Sequence, residues 1–152
     1  MNVPLGRPRT SRERERAEAE EILRESVVGE AAVRFACPHW EIVANAGGRR
    51  VYGVGSGLYP DLVALDGTDV GVSWILDVGT PTTVGDEGIW EHWRQLTTTG
   101  LPLILAVPRG TGRVADRVAA MLGMVRCLVY EYGLTPEGVE FSLPRSEESR
   151  VA

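Results

Sequence analysis

No lysine occurs in the chain: all 16 basic side chains are arginine. A catalytic lysine is thereby excluded at every position, and so is a phosphate-binding loop of the lysine-bearing kind. Cysteine is nearly as scarce. Cys37 and Cys127 stand far apart and outside any Cys-x-x-Cys spacing, which excludes a structural zinc site built on paired cysteines and leaves two reduced thiols as the expectation. There is no run of about 18 apolar residues and no basic start followed by an apolar core, so the expected setting is cytoplasmic with no membrane partner. Excess positive charge is missing too. A net charge of −5 and a pI near 5.1 argue against a protein that grips nucleic acid mainly by neutralising phosphates, although a local basic patch remains open. No internal repeat is present.

What remains suits one soluble domain. The 152 residues suffice for a single core, and 43% hydrophobic with 24% charged residues is ordinary for a globular chain. The expected organisation is an arm over residues 1–10, an α/β domain over residues 11–143, and a polar tail over residues 144–152. The arm is locally basic, with five arginines against two glutamates in residues 1–16; it reads either as a phosphate-contacting arm or as a solvated lead into a helix.

The centre of the chain is residues 59–80. Two apolar runs, Leu62 to Leu65 and Val72 to Val78, flank an Asp/Gly/Thr cluster at residues 66–71, the pattern of a β-hairpin. A turn centred on residue 69 sets Asp61 opposite Asp77. In that register the two carboxylates share one face with Cβ atoms about 4.5–5.5 Å apart, and one pKa should rise unless a cation lies between them. A divalent ion such as Mg²⁺ or Mn²⁺ would fill that place and suit phosphodiester hydrolysis. Each aspartate also has a structural reading, as an acceptor for backbone amides at a strand start or turn.

Pro60-Asp61, a turn, and Asp77-Val78-Gly79 together resemble the PD-(D/E)xK nuclease superfamily, and the resemblance covers residues 18–107. It implies a restriction-endonuclease-like αβββαβ core: a mixed β-sheet flanked by helices. It also implies a metal-dependent nuclease acting on DNA or RNA, with Asp61, Asp77, the Val78 carbonyl and a first-helix glutamate as ligands. Glu21, Glu25 and Glu30 are the glutamate candidates, with Glu25 carried forward. The family's lysine position is Gly79. Thr80, Thr82 or Thr83 could orient a water in its stead and Arg94 could supply charge. The alternative is a catalytically inactive member of the fold that serves nucleic-acid binding or assembly with a partner protein.

Elsewhere, Ser11 is the expected cap of a helix running to about Phe35, with Ile22, Leu23, Val27, Val28, Ala31, Ala32 and Phe35 on its buried face. Trp40 to Ala44 reads as a strand with Arg49 to Val54 as its return. The glycines at 53, 55 and 57 do not form a dinucleotide fingerprint, because a strand rather than a helix follows them. Asp86 caps a second helix whose Ile89, Trp93 and Leu96 share the core face; Trp90 and Trp93 read as core or homodimer contacts, and His92 as a proton-shuttle candidate. Leu101 to Val107 is a buried strand. The loop Pro108 to Arg113 enters a helix ending near Leu122, and Arg109 and Arg113 are candidates for a nucleic-acid phosphate at its N-terminus. Met124 to Tyr132 and Val139 to Leu143 complete the sheet.

Overall fold

A computed structural model describes residues 8–45, 47, 49–67 and 71–144. Most of the expected arm and tail, and the hairpin turn at 68–70, lie outside the described residues. The first helix, α1 (Ser11–Arg34), starts one residue earlier than its expected cap: Thr10 accepts the Glu13 amide while Glu13 returns a bond to the Thr10 amide. Pro38 bars its continuation beyond Phe35. Val27, Val28 and Ala31 are buried as the periodicity demands, but Ile22 is 65% exposed, because it lies on the helix face opposite the stripe through Leu23, Val27 and Ala31.

Strands β1 (Trp40–Ala44), β2 (Leu62–Asp66) and β3 (Val72–Val78) form an antiparallel meander. Helix α2 (Glu87–Thr97), capped by Asp86 as expected, leads to β4 (Leu103–Pro108), parallel to β3. Helix α3 (Gly112–Met121) leads to β5 (Cys127–Thr135), parallel to β4, and β6 (Gly138–Ser142) returns antiparallel at the edge. The six strands therefore lie in sequence order in one mixed sheet, and the first six elements run αβββαβ.

Alternation along each strand divides the core in two. Leu62, Ala64, Leu76, Val78, Ala106 and Tyr132 pack under α1, whereas Val63, Ile75, Leu105, Val107 and Val129 pack under α2 and α3. The result is three layers with the sheet in the middle.

The segment Arg49 to Val54 is not the return strand of β1. That place belongs to β2, and the only ladder contact in the segment is an isolated bridge between Val54 and Leu58. The physical reason is Asn45. Its side-chain oxygen accepts the amides of Val51 and Tyr52, and its amide group donates to the carbonyls of Tyr52 and Pro60. All four bonds of one buried side chain are spent holding residues 51–60 as an irregular loop that leads directly into β2.

Candidate carboxylate site

The hairpin register is the one that the turn implies. Leu62 pairs with Leu76, and one step further Asp61 meets Asp77, the Asp61 amide donating to Asp77 Oδ1 at 3.3 Å. A bulge between Ala64 and Leu65 shifts the register beyond it and leaves this end undisturbed.

Asp77 faces α2. Its Oδ2 accepts the Trp93 indole N–H at 3.0 Å, its Oδ1 lies 3.6 Å from His92 Nε2, and its exposure is zero. Asp61, 4% exposed, reaches the other way. Its Oδ1 accepts two donors from the Arg24 guanidinium on α1, at 2.8 and 3.1 Å, and its Oδ2 accepts the Val78 amide at 2.8 Å. The two aspartates thus tie α1 to α2 around one end of the β2–β3 pair, and each bonds a backbone amide of the opposite strand.

Burial, followed by the neighbouring Asp77 charge, pushes the Asp61 carboxyl up from 3.8 to about 7, against the opposing pull of Arg24 and the Val78 amide. The Asp77 carboxylate raises the His92 imidazole above its ordinary value despite the burial that lowers it. The cation between the carboxylates and solvent is therefore a guanidinium. Arg24 escaped the sequence reading, although its position offered a signal: an arginine three and four residues before buried Val27 and Val28 lies at the margin of the apolar face.

Gly79 has a packing reason. A Cβ there would meet the Trp93 ring at 3.2 Å and Val107 Cγ1 at 3.3 Å, so any side chain at this position displaces the indole that bonds Asp77. The Tyr132 hydroxyl donates to the Gly79 carbonyl at 2.9 Å and fixes the chain there from the other face. No family model, curated protein or solved structure matches the chain.

The remaining candidates are dispersed. Thr80 is buried, its amide donating to the Thr83 hydroxyl and its own hydroxyl 3.0 Å from that oxygen, while Thr82 is bonded to Glu20. Arg94 turns outward and pairs with Glu91 on the exposed side of α2. Glu25 is exposed but lines the same cavity as Asp61 and Arg24. Trp93 is wholly buried and Trp90, half-buried, donates to the Val84 carbonyl, so both are engaged within the domain. The N-terminus of α3 does hold an anion, and the anion is internal: Glu131 Oε2 accepts the amides of Gly110 and Gly112 at 2.8 and 2.9 Å. Arg109 is exposed and 3.8 Å from Glu140, and Arg113 lies beside Glu131 in the same hollow.

These residues do not fit a divalent metal. Both Asp77 oxygens already face donors with no solvent access, and Asp61 carries a guanidinium on one oxygen and the Val78 amide on the other. Among the described residues no group of three or more His, Cys, Asp or Glu side chains converges as a ligand set. No described helix is long and apolar enough to cross a membrane.

Proposed function

We propose that the chain is a binding protein with a nuclease-like αβββαβ core, one that engages nucleic acid without metal-dependent cleavage. The nucleic-acid partner follows from the resemblance; the absence of cleavage is carried by one observation: Asp77, the residue that the PD-(D/E)xK resemblance casts as a metal ligand, is fully buried with its oxygens facing Trp93, His92 and the Asp61 amide. Metal-dependent hydrolysis of a phosphodiester requires ligand oxygens open to the ion and the substrate. In this site the carboxylates instead fasten two helices to the sheet. Arg24 supplies the positive charge that the pair needs, and Gly79 makes room for the Trp93 ring.

A metal-dependent hydrolase is the second reading. It is favoured by the cavity in which Glu21, Glu25 and Asp61 share a wall, but it needs Arg24 to leave Asp61. Calorimetric titration of Mg²⁺ and Mn²⁺ into the wild type and Asp77→Asn, beside cleavage assays on DNA and RNA, separates the two. The expected result is no saturable heat that depends on Asp77 and no metal-dependent cleavage. Saturable binding lost in Asp77→Asn, or cleavage abolished by that change, overturns the proposal in favour of the hydrolase.

A further inference from the structure

Between α1 and the loop after β1 lies a cavity of about 550 Å³, within the size range of small-ligand sites. Arg49 and Arg50 stand on one side of it, and Glu21 and Glu25, one helical turn apart on α1, on the other. Arg24 is committed to Asp61. Arg49 and Arg50, by contrast, make no ion pair with a described residue. Arg50 and the backbone that follows it are nonetheless held in place. The Arg50 guanidinium sits 5.4 Å over the Tyr59 ring, and the two amides that follow it, of Val51 and Tyr52, are fixed by Asn45.

We infer that this cavity binds a terminal phosphate, a phosphomonoester with its adjoining sugar, carried by a free nucleotide or by the end of a nucleic-acid strand. Two adjacent guanidiniums, neither in an ion pair with a described residue, match the near-double negative charge and the three acceptor oxygens of a phosphomonoester. The glutamates supply the selectivity. They accept hydrogen bonds from sugar hydroxyl or base amino groups, and they repel a second phosphate, so a continuous backbone is disfavoured where a strand end is accepted. The cavity is not lined by Asp77 and does not require a metal.

The strand-end form rests on the nucleic-acid-binding reading above; the nucleotide form does not. The test is fluorescence anisotropy in EDTA with an end-phosphorylated oligonucleotide and its dephosphorylated counterpart, with competition by a nucleoside monophosphate. The terminal phosphate is expected to tighten binding about tenfold or more, the size of one or two charge-assisted hydrogen bonds. The Arg49→Ala/Arg50→Ala double variant, with both changes at exposed positions, is expected to lose that preference while melting as the parent does. A nucleoside monophosphate that competes at lower concentration than the unlabelled end-phosphorylated strand identifies the nucleotide form, and the reverse order identifies the strand end. Equal binding of the two oligonucleotides together with no nucleotide competition, or a preference that survives in the double variant, overturns the inference. Metal-dependent cleavage with the phosphate preference intact would overturn only the function proposed above.

Discussion

Replacing Asp77 by asparagine turns one oxygen into an amide group, at a cost that does not change with pH, and removes one charge, with an effect on stability that does. The parent holds the Asp61 carboxyl at about 7 against 3.8 when unfolded, so its folded form binds the proton more tightly. The associated stability is fully present below 3.8 and is lost as pH rises through about 7, an upper bound of about 4 kcal/mol at 1.36 kcal/mol per unit. His92 has the same sign: its folded value is raised, so its contribution is present below the ordinary histidine value and fades as pH rises through the folded one. In Asp77→Asn the like charge is gone and Asp61 ionises more easily, which returns about 1–2 kcal/mol at alkaline pH. The amide, however, presents N–H groups where the carboxylate accepted the Trp93 indole on one oxygen and the Asp61 amide on the other. One buried donor then goes unpaired, at a cost of about 1–3 kcal/mol at every pH. Near pH 5 the variant should be the less stable by about that amount, and more so through His92; near pH 8 the gap should close or reverse. Urea denaturation followed by tryptophan fluorescence at the two pH values measures it. A deficit of the same size at both would refute the electrostatic account.

Three further outcomes are expected. Arg24→Met leaves Asp61 buried without its cation; because Arg24 is 35% exposed, the loss near pH 8 should be about 2 kcal/mol rather than the full buried-pair value, and smaller near pH 5 where Asp61 takes up a proton, as urea titration would show. Gly79→Lys, which restores the lysine of the resembled motif, should cost about 1–3 kcal/mol by displacing Trp93, read as a lower melting temperature with altered near-UV dichroism, and should not confer cleavage. Asn45→Ala unties residues 51–60 and should open Arg49 and Arg50 to trypsin far faster than in the parent, with a stability loss of about 1–3 kcal/mol.

The hairpin and its register are legible because two apolar runs and a turn cluster constrain each other, and a one-residue slip would exchange the side chains of the two core faces. The helices are legible from caps and periodicity. What binds the carboxylates is less so. Arg24 and Asp61 are 37 residues apart, and only the docking of α1 over β2 and β3 brings them together. Trp93 reads as core and is core, yet its indole N–H also serves Asp77, a role that side-chain hydrophobicity does not disclose. Arg49 to Val54 misleads because strand-like composition meets a single asparagine that takes the backbone bonds a ladder would need. The loop before α3 carries the composition of an anion site, and the sequence offers no means of telling that Glu131, 21 residues from Gly110, fills it.

Of the described elements, helix α1 leaves the ribosome first and is completed last. Its Phe35 packs edge-on against Tyr130 of β5 and Phe141 of β6, and Val139 and Phe141 close the layer beneath it. During synthesis this helix must wait, its apolar stripe open to chance partners, until β6 has left the ribosome. The glutamates and arginines of its opposite face keep the waiting helix dispersed, so the charge pattern at the start of the domain guards the folding of its end.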